Sequence, residues 1–387
     1  MQLRERLFKK RHTLAQAGPH AAHAVRCAAL CLGLLSMATL SAAGSPERAR
    51  QDPDGTVHLP PREIPLSNYL SSEARALMIQ RFKVPLESPY PDDIVKARAH
   101  IEEFLQPLVD RAKDRYPANI VRTKIANVPV FDITPRAGVT PRNAHRVLIN
   151  LHGGAFSVCE IACALGESIP VAGIGGIRVV SVSYRQGPEH KFPAASEDVA
   201  AVYVDLLKRY RPENIGIYGC SAGGMLTAES LAWFQKEKLP RPGAAGILCA
   251  TAMDFGGDAF FVQWPLDEGR LMPPPTPGDR MGQRVELPPF EYFSGVQARD
   301  PLVQPGHFPE VLRRFPPTLV ATGGRGFDSS GAYETHRRLW RAHVPTELHV
   351  WDGLGHGFHI DVAAPESREF AEVIVRFFDA HLGRRPR

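Results

Sequence analysis

Beyond its first 43 residues the chain carries no excess charge of either sign. Those residues hold Arg4, Arg6, Lys9, Lys10, Arg11 and Arg26 against one acid, Glu5, and account for the whole formal charge of +5; the remainder sets 40 basic against 40 acidic side chains. A nucleic-acid binder keeps positive charge in its folded part, so that class is set aside. Cysteine is scarce, with six in 387 residues, too few for a disulfide scaffold in a chain of this length. Cys27 and Cys31 fall in the N-terminal stretch, leaving Cys159, Cys163, Cys220 and Cys249. Cys159 and Cys163 have no second ligand pair nearby, which argues against zinc. The four read as small buried side chains, with a Cys159–Cys163 disulfide as the alternative in an oxidising compartment. A long apolar run is also missing. "CAALCLGLLSMATLSAAG", residues 27 to 44, is uncharged, but its apolar core of about 14 residues is short for a membrane span. Internal repeats are absent.

What is present begins with an export signal: a basic region, that apolar core, and Ser41-Ala42-Ala43 with small residues at the −3 and −1 positions for cleavage after Ala43. The expectation is a periplasmic or secreted protein. An uncleaved signal anchor is the alternative, because the basic region is unusually long. Residues 44–120 read as a flexible Pro/Arg/Asp-rich arm, to about residue 65, followed by an N-terminal helical cap. Two amphipathic patterns make the cap. One places Leu70, Ala74, Leu77 and Met78 on a face; the other places Ile94, Ala97, Ile101, Phe104, Leu105 and Leu108 at 3–4 spacing, with a kink expected at Pro107. From 121 to 387 the pattern changes. "VRTKIANVPVFDITP" alternates and turns like an antiparallel pair, while "HRVLINL", "IRVVSVSYR", "NIGIYG", "AAGILCATAM", "PTLVATGG" and "TELHVWDG" are β-prone runs separated by helical segments. Strands alternating with helices predict an α/β fold with a mostly parallel sheet. A Pro-rich stretch at 256–290 reads as a loop insertion after the sixth strand, with Phe260, Phe261 and Trp264 either lining a pocket or simply packing.

The chemistry starts at "YGCSAGG". A serine hydroxyl is a poor nucleophile unless a base takes its proton and donors hold the oxyanion that forms. Gly-x-Ser-x-Gly between a strand and a helix meets the first need by projecting Ser221 from a tight turn, and the amide of Ala222 opens the following helix. Some seventy residues earlier, "LHGGAF" ends a buried strand with consecutive glycines, whose amides at Gly153 and Gly154 are expected to complete an oxyanion hole with Ala222. The base is expected on a loop after a late strand. "WDGLGHGFH" supplies His356 between two glycines, with His359 as competitor; His190 and His336 read as structural or surface residues.

In order and spacing, "HGGAF", "SVSYRQGPEHKFPAASEDV", "GCSAGG", "DPLVQP" and "GLGHGF" resemble the hormone-sensitive-lipase-like esterases of the α/β-hydrolase fold, over residues 120 to 380. That resemblance implies an eight-stranded sheet, a helical cap over the site, and carboxylic ester hydrolysis without cofactor or metal. It makes Ser221 the nucleophile, His356 the general base, and Gly153 and Gly154 part of the oxyanion hole. Several positions depart from the pattern: Ala155 replaces a third glycine, Ser183 an aspartate, and Gln186-Gly187 an apolar-Ala pair. The third triad member departs most, since gapless placement puts Gly326 where the acid belongs. Asp328, two residues on, projects to the same side of an extended loop and is the assigned acid; Asp254, or no acid, are the alternatives. The reading is a serine carboxylesterase acting on a small-molecule ester of small to medium size. Lactone hydrolysis or deacetylation at the same site, and an impaired protein that only binds, are the other readings. Oligomeric state is left open.

Overall fold

Mostly apolar runs free of charge form strands that both faces of a sheet can bury, and here four of them are buried end to end. They are β3 (Val147–Leu151), β5 (Ile215–Cys220), β6 (Ala244–Leu248) and β7 (Thr318–Gly323). The computed structural model describes residues 49–83, 93–263, 292–297 and 299–383. The expected signal and most of the 256–290 insertion, Trp264 included, lie outside the described residues. Residues up to Pro65 cluster as one unit, in which Arg50–Gln51 pairs with Val57–His58; Leu66–Arg387 forms the other.

In that larger unit β1 (Ala118–Ile125) and β2 (Val128–Pro135) form an antiparallel hairpin. Its turn residues, Ala126 and Asn127, both have positive φ (49° and 66°), the backbone that a two-residue hairpin turn requires. β4 (Arg178–Val182) and β8 (Thr346–Trp351) complete eight strands in the order β8-β7-β6-β5-β3-β4-β2-β1. All neighbours are parallel except β2, which runs antiparallel to β1 and β4. The eight strands read from the sequence are therefore all present.

Alternation along β3 divides the core. Val147, Ile149 and Leu151 join the cluster under α4 (Ala194–Leu206), α5 (Ala222–Lys236) and α6 (Ser329–Arg341). Leu148 joins the opposite one, under α2 (Ile94–Arg115), α3 (Ala162–Gly175) and α7 (Pro365–His381). The first of the two helices expected as a cap, α1 (Ser72–Lys83), buries Ala74 and Met78 with Leu70 against Leu354 and Ala364, on the segment that carries His356. In α2 the buried positions are Ala97, Val109 and Ala112, with Ile101 and Leu105 half-buried; Phe104, placed on the inner face from sequence, is 52% exposed. A stripe stepping by four and three turns Phe104 past the edge of contact. The helix continues through Pro107, and its Arg98 donates to the carbonyls of Ser157 and Gly187 and pairs with Glu189. Among the described residues no helix is long and apolar enough to cross a membrane.

Candidate active site

β5 runs straight into α5, and the residue at the corner is Ser221, at φ 57° and ψ −124°. That backbone is strained for any residue with a side chain and persists only where surrounding contacts enforce it. The contacts come from small neighbours. A Cβ on Gly223 would lie 1.8 Å from the Leu151 carbonyl oxygen, so only glycine lets α5 approach β3 closely enough to close the turn. The Ser221 amide donates to Leu248 and its carbonyl accepts from Met225. The hydroxyl is thus held at the carboxyl end of the sheet, on the N-terminus of a 15-residue helix, where the helix dipole favours negative charge.

Two side chains from other elements reach it in sequence. His356 Nε2 lies 2.9 Å from Ser221 Oγ, and His356 Nδ1 lies 2.7 Å from Asp328 Oδ1. The carboxylate only accepts, so Nδ1 carries the proton and Nε2 is left to accept from the serine hydroxyl. Asp328 is fully buried. It stands at the N-terminus of α6 without capping that helix, which frees its side chain for the histidine, and its other oxygen accepts from the Thr322 hydroxyl. Asp254 is elsewhere engaged, its Oδ1 2.8 Å from His307 Nε2. His359 turns into the core and stacks on Phe370 at 4.2 Å. A Cβ on Gly326 would come within 2.6 Å of Asp328 Oδ1, so an acid there would crowd the carboxylate that His356 meets. Phe327 lies 4.5 Å from the His356 ring, with Phe255 and Phe260 behind it.

The loop after β3 departs from the sequence reading at one donor. The Gly153 amide donates to Glu167 Oε1 at 2.8 Å, so it is already spent on a buried carboxylate. The amides of Gly154, Ala155 and Ala222 have no acceptor among the described residues. The loop holds three consecutive positive φ angles, at Gly154 (109°), Ala155 (52°) and Phe156 (57°). Gly154 is obligatory, since a Cβ there would lie 2.0 Å from the Val158 carbonyl oxygen. The strain is held by Phe156, buried between Tyr292 and Phe293 at 4.9 Å from each, and by a disulfide that pairs Cys159 with Cys163. The reading of those two cysteines as separate buried side chains is thereby corrected.

Residues 148–360 match the model of a family described as alpha/beta hydrolase fold. The chain belongs to that family. Its relatives and structural neighbours carry the names acetyl-hydrolase, carboxylesterase and esterase. It is similar to an acetyl-hydrolase of Streptomyces hygroscopicus, 28% identical over 257 residues that cover 62% of this chain and 78% of that protein. It is likewise similar to the carboxylesterase/phospholipase LipF of Mycobacterium tuberculosis, 27% identical and covering 56% and 57% of the two chains. Among solved structures, esterase E25 superposes with a TM-score of 0.71 at 27% identity, over 84% of this chain and 98% of its own.

Sequence reasoning missed Glu167 in this hydrolase. Its signal was a lone acid in the apolar run "ACALGESIPVAGIG", which α3 buries along most of its length. Burial pushes the Glu167 carboxyl up to about 7, against hydrogen bonds from Asn150 and the Gly153 amide that favour the ionised form. A carboxyl whose folded pKa is raised binds more protons folded than unfolded between its ordinary value and about 7. Its contribution to stability therefore falls as pH rises through that window. His152, pushed down to about 4 by burial, acts in the opposite sense below its ordinary value, so wild type alone does not isolate Glu167. Comparison with Glu167→Gln does: the thermal midpoint of wild type is expected to fall relative to the variant from pH 5 to pH 8. A difference independent of pH would show that Glu167 does not titrate in this range.

A cleft of about 380 Å³ opens beyond the oxyanion loop, lined by Arg98, Glu102, Cys159, Tyr184, Gln186 and Glu189. It contains none of Ser221, His356 or Asp328 and is not the reaction site.

Proposed function

We propose that the protein hydrolyses small to medium carboxylic esters through an acyl-enzyme on Ser221. The chain of hydrogen bonds from Ser221 through His356 to Asp328 carries this reading. Ser221 Oγ attacks the ester carbonyl while His356 Nε2 takes its proton. The tetrahedral oxyanion is held by the amides of Gly154, Ala155 and Ala222, and His356 returns the proton to the departing alcohol. Water, deprotonated by the same nitrogen, then attacks the acyl-enzyme and releases the acid. Asp328 holds the imidazole in the productive tautomer and stabilises the imidazolium. The reaction needs no cofactor. The acetyl-hydrolase relatives support a short acyl group.

An exported, periplasmic or secreted location is part of the proposal. The N-terminal signal pattern supports it, as does the Cys159–Cys163 disulfide, since such bonds persist in oxidising compartments.

The test is turnover of p-nitrophenyl acetate, butyrate and a long-chain ester by the full chain, together with mass-spectrometric mapping of an organophosphonate adduct. Turnover favouring the short acyl groups, with the adduct on Ser221, is the expected result. No turnover and no adduct would reduce the protein to a binder; preference for the long chain would overturn the substrate class.

A further inference from the structure

We infer that Cys220, Cys249 and His359 form a zinc-binding site directly behind the nucleophile. The three come from the end of β5, the segment after β6, and the turn following His356, so no sequence spacing announces them. Their ligand atoms nevertheless all lie within 4.8 Å of one another, and Cys249 Sγ is 4.0 Å from His359 Nδ1. All three residues are buried. Zn–S bonds of about 2.3 Å and Zn–N bonds of about 2.0 Å place tetrahedral ligands on the order of 3.5–3.8 Å apart. The cluster therefore needs to contract by about 1 Å at its widest to close on an ion. Two thiolates and an imidazole are the donor set for zinc rather than for calcium or magnesium. His359 is already oriented by its stacking on Phe370.

Cys220 is bonded to Ser221, and His359 follows His356 by three residues. Drawing Cys220 and His359 onto one ion shifts the nucleophile and its base together, and misplacement of reacting groups by about 1 Å is enough to cost on the order of 100-fold in rate. Zinc is thus expected to inhibit. The inhibition rests on the roles proposed for Ser221 and His356; the binding does not.

The test uses the full chain without reductant, which keeps Cys159–Cys163 closed, after thiol titration of unfolded protein has shown the four free thiols of Cys27, Cys31, Cys220 and Cys249. Cobalt(II) is added as a spectroscopic substitute. One cobalt per chain is expected, with a thiolate-to-cobalt charge-transfer band that zinc displaces and that Cys249→Ser and Cys220→Ser both lose. One equivalent of zinc is expected to lower p-nitrophenyl butyrate turnover at least tenfold, reversibly with a chelator. Absence of the band in the wild-type chain, or its survival in Cys249→Ser, would overturn the site. Binding without inhibition would overturn its coupling to Ser221. A wild-type chain that binds cobalt but hydrolyses no ester would instead count against the proposed function and leave the metal site standing.

Discussion

Replacing Ser221 by alanine is expected to lower ester turnover by about 10⁶-fold, and adding His356→Ala is expected to cost almost nothing more. Residues that act as one unit are not additive, and once the nucleophile is gone the base has no proton to take. What survives is the oxyanion hole and substrate binding, worth about 10³–10⁴ over water. The geometry makes the pair a unit: His356 Nε2 meets Ser221 Oγ at 2.9 Å. The measurement is kcat for the two single variants and the double variant, on protein whose melting is unchanged. Losses that multiply would mean that His356 acts independently of Ser221, and the acyl-enzyme mechanism would fall.

Asp328→Asn is expected to lower kcat by about 10⁴-fold, as the equivalent change does in the serine-protease triad. An asparagine can turn an N–H toward His356 Nδ1, which drives the imidazole proton onto Nε2 and removes the acceptor that the serine needs. The carboxylate is fully buried and also accepts from Thr322, so water has no route to replace it. Two controls sharpen the result. Asp254→Asn, at the partner of His307, is expected to leave turnover unchanged. Gly326→Asp is expected to lower it, because the new Cβ would crowd Asp328 Oδ1. A rise with Gly326→Asp, or indifference to Asp328→Asn, would move the acid elsewhere.

Much of this was legible from the chain because it was written locally. The buried strands are mostly apolar runs without charge, the nucleophile turn is a Gly-x-Ser-x-Gly between strand and helix, and the histidine stands between glycines after the last strand. Parts set by long-range contact were not legible. The donor role of Gly153 fails because Glu167, fourteen residues away on α3, takes its amide. The disulfide was underweighted because four-residue spacing says nothing of side-chain direction. Phe104 was assigned inward because a spacing count does not see how narrow the buried stripe of the helix is. The cluster of Cys220, Cys249 and His359 was invisible for the same reason: three segments meet only in the folded sheet.

The overlap between Gly326 and the Asp328 carboxylate has an evolutionary consequence. A Cβ at 326 would stand 2.6 Å from Asp328 Oδ1, so no side chain can be added there without moving the carboxylate that His356 uses. A lineage moving the acid along this loop cannot pass through a form that keeps both in place. It must cross an intermediate with a crowded acid or with none, and the direction of benefit of each substitution reverses according to whether the other has occurred.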